Sequence, residues 1–374
     1  MYKILGTFGH HQGYKVKWLC FILLLVTTFS YGLHLLASQS ASNPWVNFPI
    51  HQTWIASEIA IDWPLVAWSD WSDSSQPIKV LIKNLETGVI RDLSAYFPCQ
   101  PMGSGRGDLA IHGEWLAGIL SCNWPEPAKL YALNMNSEEL ILIEPPAGLP
   151  AEQNWPAEPT IYGDAIVWQQ ENVVRTLVDL FLFDLQSRTV MSLTQTSSPM
   201  IEHHPEVYGE WVAWNSLNLS NGDNSVALYN LTSSEQITIP LMTAHETWIS
   251  LDSQYVVWDD WRNGNADVYA FDLISQQVLP LITGPYHQSA AVVRDGLLLY
   301  QDQVPPRSLY VYHLDSQETH LLFQEPPQHG ISGRQAIDNG VIVWIDSSAA
   351  SGQAIVYGAR QLPERFFLPI LPQP

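Results

Sequence analysis

Aromatic residues that close apolar runs recur along this chain at a nearly constant spacing, and no other feature limits its fold so strongly. Trp68, Trp168, Trp214, Trp258, Tyr300 and Trp344 each end such a run, and Gly118 holds the same place in one further unit. The steps between these seven anchors are 50, 50, 46, 44, 42 and 44 residues. Five residues ahead of the anchor stands a turn former or small polar residue in six units: Gly113, Gly163, Gly209, Ser253, Asp295 and Asn339. In the first unit Trp63 takes that place, between Asp62 and Pro64.

A second apolar run follows each anchor: KVLIKNL (79–85), KLYALNM (129–135), LFLFDL (180–185), VALYNL (226–231), VYAFDL (268–273), LYVYHL (309–314) and the shorter Ile355-Val356-Tyr357. Fourth runs stand at 89–93, 140–143, 190–193, 236–239, 278–282, 319–323 and 366–370. Apolar runs of four to eight residues bounded by Gly, Asn, Asp and Pro have the length and punctuation of strands. One four-stranded unit cannot bury both of its faces alone, so repeated units must stack on one another. The expected fold is all-β, a seven-bladed β-propeller of four-stranded antiparallel blades around a central channel. Six blades with the first or last unit outside the ring is the alternative.

The chain is acidic, with 16 Lys and Arg against 37 Asp and Glu and a net charge of −21. Phosphate binding needs a basic surface, so nucleic acid is not an expected partner. The first 37 residues carry lysines at 3, 15 and 17 and no acid, and residues 18–37, WLCFILLLVTTFSYGLHLLA, hold no formal charge. Twenty helical residues at about 1.5 Å each span a hydrocarbon core of roughly 30 Å. The expected organisation is a cytoplasmic segment (1–17), one apolar N-terminal helix acting as signal anchor or cleaved signal peptide (18–37), a linker (38–49), the propeller (50–370) and a tail (371–374). Either form of the N-terminus puts the body outside the cytoplasm, anchored in the membrane or, in the alternative, secreted.

The best-preserved hairpin, Trp258-Asp259-Asp260-Trp261-Arg262-Asn263-Gly264-Asn265-Ala266-Asp267-Val268-Tyr269, resembles the W-x-D-x-R-x-G-N-x-D-I-Y hairpin of TolB-like and cell-surface WD40-like propellers. A preceding P-x-I-x-G-x-x-V-x-W pattern appears at 159–168, with Ile166 in place of its Val, and at 205–214, with Val207 in place of its Ile. The resemblance covers about residues 50–370, most clearly units three to six, and implies the fold. It implies no single function, because propellers serve both as binding platforms and as enzymes.

In a propeller the links between blades (d–a) and the links between the second and third strands of a blade (b–c) share one face. Cys99 falls in a d–a link and Cys122 in the next b–c link, and a disulfide between them suits an extracytoplasmic body. Two buried thiols are the alternative. His203, His245, His287 and His329 recur at intervals of 42 residues in d–a links. Neutral imidazole is a common ligand of divalent metals, so His203, His245 and His287 form a candidate metal set. The seven-bladed propeller lyases of oligogalacturonate resemble this arrangement in placing a His-held metal near the channel. Their bland counterpart is a set of polar loop residues bonded to backbone between blades. Within the best-preserved hairpin, Asp259 or Asp267 is expected to pair with Arg262. The tripeptide Arg106-Gly107-Asp108 matches an adhesion signal, but three residues recur by chance too often to carry that function.

Trp71, Trp124 and Trp261 stand in b–c links, where aromatics anchor partners or stack on sugars. No G-x-S-x-G elbow, P-loop or dinucleotide fingerprint occurs. The expected function is a non-catalytic, monomeric, cofactor-free propeller that binds a protein or glycan at the cell surface or in the periplasm. The alternative is a metal-dependent polysaccharide lyase or hydrolase that uses the His arc.

Overall fold

The computed structural model describes residues 43–362, apart from 72–77, 102–107, 122–126, 146–148, 150–154, 173, 195–198, 242–246, 327 and 349–350. Among these no helix is long and apolar enough to cross a membrane, and the apolar helix expected over 18–37 lies outside the described residues. The chain divides into residues 46–361, which form the propeller, and a unit of 1–45 with 362–374. In the second unit the Leu362 N–H donates to the Pro44 carbonyl at 2.8 Å.

The described residues form seven antiparallel sheets. Blade one holds β2 (Ile55–Asp62), β3 (Leu65–Trp71), β4 (Lys79–Asn84) and β5 (Ile90–Asp92). Blade two has an inner strand in two pieces, β6 (Gln100–Pro101) and β7 (Leu109–His112), then β8 (Trp115–Ser121), β9 (Lys129–Asn134) and β10 (Leu140–Ile143). Blades three and four comprise β11 (Trp155–Tyr162), β12 (Ala165–Glu171), β13 (Val178–Asp184), β14 (Thr189–Ser192), and β15 (Met200–Tyr208), β16 (Trp211–Asn218), β17 (Asn224–Asn230), β18 (Gln236–Leu241). Blades five and six comprise β19 (Ile249–Leu251), β20 (Tyr255–Asp260), β21 (Asp267–Asp272), β22 (Gln277–Ile282), and β23 (Gln288–Arg294), β24 (Leu297–Asp302), β25 (Ser308–His313), β26 (Thr319–Gln324).

Blade seven departs from the expected chain order. Its three inner strands are β27 (His329–Asp338), β28 (Val341–Ser348) and β29 (Gln353–Gln361), but its fourth strand is β1 (Trp45–Thr53), from the other end of the chain. The stretch 366–370, expected in that place, lies outside the described residues, and β1 begins inside the stretch read as linker. Pro49 lies within β1, and an edge strand is where a sheet tolerates the missing N–H. The Phe48 ring lies so close over Gly358 of β29 that a Cβ there would stand 2.6 Å from it.

The anchors are the core of the ring. Trp68, Trp168, Trp258 and Trp344 are fully buried between blades. Three of them donate the indole N–H to the side chain two residues on: Trp68 to Asp70 (3.4 Å), Trp168 to Gln170 (3.1 Å) and Trp258 to Asp260 (3.0 Å). Trp214 donates instead to Glu202 at 2.5 Å. Gly118 fits the series because Tyr131, directly across the ladder, fills the space that the indole takes elsewhere. A Cβ on Gly118 would stand 2.5 Å from the Tyr131 hydroxyl and 2.7 Å from its ring.

Overpacking of a closed core costs about 1–3 kcal/mol. Gly118→Ala is therefore expected to lower stability by about that amount in a denaturant titration, and adding Tyr131→Leu to recover part of the loss. An unchanged midpoint for Gly118→Ala would show that Tyr131 is not held where it is seen.

Candidate functional site

The seven inner strands converge on one cavity of about 140 Å³, lined from every blade. A repeated irregularity shapes it. In blades one, three, four and six the ladder between the first two strands slips by one residue, at 56/59, 157/160, 203/206 and 289/292, and in blade seven at 332/336. These are β-bulges, which leave a residue unpaired and re-aim its side chain. Glu158, His204 and Ala290 adopt the left-handed backbone there, with φ of 51°, 52° and 55°.

Ten residues before each anchor, the seven units carry Glu58, Asp108, Glu158, His204, Trp248, Ala290 and Arg334. The first four are buried and joined in sequence around the ring. The Asp108 N–H donates to Glu58 Oε2 (3.2 Å), the Glu158 N–H to Asp108 Oδ1 (3.5 Å), and His204 Nδ1 lies 2.6 Å from Glu158 Oε2. The His204 ring packs on Trp248 with centroids 3.9 Å apart. Arg334 then crosses the channel from blade seven, pairing with Glu206 of blade four, donating to the Ile249 carbonyl of blade five and lying 5.8 Å over the Trp248 ring.

A second set of side chains follows six residues before each anchor: Asp62, His112, Tyr162, Tyr208, Asp252, Arg294 and Asp338. His112 pairs with Asp62 at 3.3 Å and stacks on Tyr162 (4.5 Å), which packs on Tyr208 (4.3 Å), and the Arg294 guanidinium caps Tyr208 at 4.3 Å. Neither set was singled out in the sequence, although counting back ten and six residues from each anchor finds both. Pro159 and Pro205, each directly after a bulged residue, mark the break in the ladder.

At about 30 Å³ per water, the cavity has room for only a handful of waters. Small-molecule sites run from roughly 300 to 1,000 Å³.

The sequence-predicted residues are spread over the d–a and b–c face. His203 is fully buried, with Arg175 Nη2 3.1 Å from its Nδ1, and a guanidinium only donates, so that nitrogen is an acceptor. His287 uses its Nδ1 to accept the Ala266 N–H at 3.0 Å and packs against Trp261 at 4.9 Å. His245, Cys122 and Trp124 lie outside the described residues. Their interval of 42 does not match the blade interval: His203 stands 11 residues before its anchor Trp214, and His287 stands 13 before Tyr300. The two imidazoles therefore occupy different places in their blades. Among the described residues no group of three His, Cys, Asp or Glu side chains is disposed to hold a metal. Cys99 is disulfide-bonded, and its expected partner Cys122 is not among the described residues.

Trp71 and Trp261, expected to be exposed, are half-buried, and the Trp71 indole nitrogen is fully covered. Arg262 pairs with Asp260, at 2.7 and 2.8 Å, rather than with Asp259 or Asp267. Burial pushes the Asp260 carboxyl up, but its bonds to Arg262 and Trp258 outweigh that and hold it below the usual range. Asp259 instead turns to blade six, where Oδ2 accepts the Ala290 N–H at 3.1 Å, and burial raises its carboxyl to about 6. Asp267 accepts from Asn263 (2.6 Å) and Asn265 (3.0 Å). Asp108, the last residue of the adhesion-like tripeptide, belongs to the channel ring.

The most perturbed acid in the wedge between blades three and four is Glu202. Burial raises its carboxyl to about 7, against the bonds donated by Ser216 (3.1 Å) and Trp214.

Among solved structures the chain is similar to the β-propeller domain of the Trilobed protease from Pyrococcus furiosus, with a TM-score of 0.62, 12% identity, and coverage of 87% of this chain and 100% of that one. It is also similar to the acylaminoacyl peptidase of Pyrococcus horikoshii, with a TM-score of 0.59 at 12% identity over 83% of this chain and 52% of that one. The chain thus spans about half the length of that peptidase. TolB from Acinetobacter baumannii gives a TM-score of 0.43 at 10% identity over 80% of this chain and 82% of that one, too slight a likeness to bear on family. No family model and no curated protein matches the chain. At these identities the comparisons support the propeller fold alone. The Pyrococcus furiosus propeller is described as having an open velcro topology, whereas here β1 completes blade seven.

Two outcomes are expected. A carboxyl raised on folding weakens the folded state as pH climbs from its unfolded value, near 4.5, to its folded value, about 7 for Glu202. Thermal melts should therefore show stability falling across that window, and Glu202→Gln should reduce the fall; an unchanged slope would place its titration elsewhere. Arg334→Ala, which leaves the half-buried Glu206 without its partner, should cost on the order of 2 kcal/mol, between exposed and buried pairs. Arg334→Lys should restore little of this, because one ammonium cannot serve Glu206 and the Ile249 carbonyl with the geometry of a fork.

Proposed function

We propose that this propeller is a binding module that presents its d–a and b–c face to a protein partner outside the cytoplasm. The observation that carries this reading is the distribution of exposed large apolar side chains. In and beside the links of that face Trp54, Ile55, Val174, Leu219 and Tyr286 are 54, 46, 72, 46 and 55% exposed, while the opposite face carries Val89 and Ile274 and the outer strands carry Val46, Ile90, Met191, Val278 and Leu321. Single exposed apolar residues need no explanation, but several from four regions of one loop-bearing face are the usual mark of an interaction surface.

Three of the five are aliphatic, which favours a protein over a glycan, since sugars are held mainly by aromatic faces. Trp54, directly after β1, lies against the b–c link of blade seven, where a Cβ on Gly352 would stand 3.8 Å from its ring. Tyr286 is held through its backbone, whose carbonyl accepts from Asn265 at 2.6 Å, so its ring is presented on a fixed support. The disulfide at Cys99 supports an oxidising compartment. A net charge of −21 favours a basic partner.

The double variant Trp54→Ala/Tyr286→Ala is expected to lose capture of surface and secreted proteins by the immobilised propeller, with no fall in melting temperature. Retained capture would remove this face from the function. Selective retention on a glycan array with no protein capture would replace the protein partner by a sugar.

A further inference from the structure

The wedge between blades one and two, on the side of the turns that join strands within each hairpin, holds a cavity of about 490 Å³. Pro64, Leu65, Ile82, Val89 and Met135 form its apolar wall, Asn84, Thr87, Glu114 and Asn136 line the rest, and Arg91 stands among them with its guanidinium donating twice to the Met135 carbonyl, at 3.1 and 3.2 Å. This volume lies within the range of small-molecule sites.

The next blade shows what such a wedge can take. In blade two the residue equivalent to Leu65 is Trp115, three residues before the anchor in both cases and opposite Asn134 as Leu65 is opposite Asn84. Trp115, like Ile141 and Val190, packs against the apolar core between blades two and three. The Arg188 guanidinium covers it, 5.3 Å from the ring centroid, and is fixed by Glu139 at 3.0 Å. One wedge earlier the indole is replaced by Leu65 and Glu139 by Val89, whose side chain is 55% exposed. Ala132 beneath Trp115 corresponds to the larger Ile82, which makes up part of the missing volume, and about 490 Å³ still remains. Arg91, opposite Ile82 on the outer strand, corresponds to Ile141 and supplies a cation on that wall.

We propose that this wedge binds a planar aromatic ring of indole size, bringing from a ligand the group that Trp115 supplies from within the chain one blade later. The ring lies on the apolar wall of Leu65, Ile82 and Met135 with the Arg91 guanidinium against its face, a contact that aromatic rings favour. The site is on the opposite face from the protein-binding surface proposed above and does not depend on it.

The test is isothermal titration of the full chain with two probes: free indole, and N-acetyl-tryptophanamide, which carries the same ring on a peptide backbone. Saturable binding in the millimolar range or tighter is expected for at least one. Binding of indole alone marks a small-molecule site, and binding of the amide also marks a site open to an aromatic residue of a peptide; both outcomes uphold the proposal. Leu65→Trp should abolish binding and raise the melting temperature by filling the cavity as Trp115 does. If that variant instead melts lower, Thr87→Trp at the exposed lip gives the same block without touching the core. Arg91→Ala should weaken binding several-fold. No saturable binding of either probe, or binding that survives both blocking variants, overturns the assignment.

Discussion

The bulge in the inner strand is the constraint on which the ring depends. A bulge frees a backbone N–H inside the molecule, and a buried N–H left without an acceptor costs about 1–3 kcal/mol. In blades two to six an inner-strand N–H is met by a side chain from the blade before it. Glu58 accepts from Asp108 and Asp108 from Glu158, while Gln169 accepts from His204 (3.1 Å), Asn215 from Thr247 (3.4 Å) and Asp259 from Ala290. In the later blades the acceptor is the residue directly after the anchor. Apolar packing alone lets neighbouring sheets slide, whereas an N–H that must find one particular acceptor fixes how far each blade sits along the next. The inner-strand bulge thus acts as a latch between blades as well as a way of aiming a side chain.

That latch also decides what the channel can be. Carboxylates placed to receive backbone N–H groups point inward, so Glu58, Asp108 and Glu158 crowd one side of the lumen. On the other side Arg334 reaches across to blade four, the opposing charge that a low-dielectric lumen demands. With a cavity of about 140 Å³ left over, the polar groups of the channel are largely committed to one another. They belong to the closure of the ring.

Much of this was legible in the residues. Anchors, strand periodicity and turn residues located the blades to within a few positions, because each depends on neighbours close in sequence. Blade seven was misread at its outer strand, because pairing between β1 and β29 joins the two ends of the propeller, and Pro49 made the segment a poor candidate for a strand. The His series follows an interval of 42 residues whereas the blades differ in length, and counting back from each anchor separates His203 from His287. Counting in that way would also have aligned Glu58, Asp108, Glu158, His204 and Arg334, with Pro159 and Pro205 as the visible sign of the bulge. The pairing within the best-preserved hairpin was missed because alternation puts Asp259 and Asp260 on opposite faces, so only one of them can meet Arg262.

Seven near-copies in one chain make each blade a control for the others, and this separates architecture from function by physical argument. Where most copies keep a feature, such as the buried anchor or the bulge, the ring depends on it. Where one copy changes and its neighbour compensates, as Tyr131 does for Gly118, the requirement is still architectural. A change without full compensation is different in kind, and two stand out. Leu65 and Val89 leave a wedge open that Trp115, Glu139 and Arg188 close one blade later. Trp54 carries an indole into solvent directly after the strand that completes the last blade. Its position ties the exposed face to ring closure: any partner that holds Trp54 against the blade-seven link also holds β1 in its sheet, so binding on that face and integrity of the propeller reinforce one another.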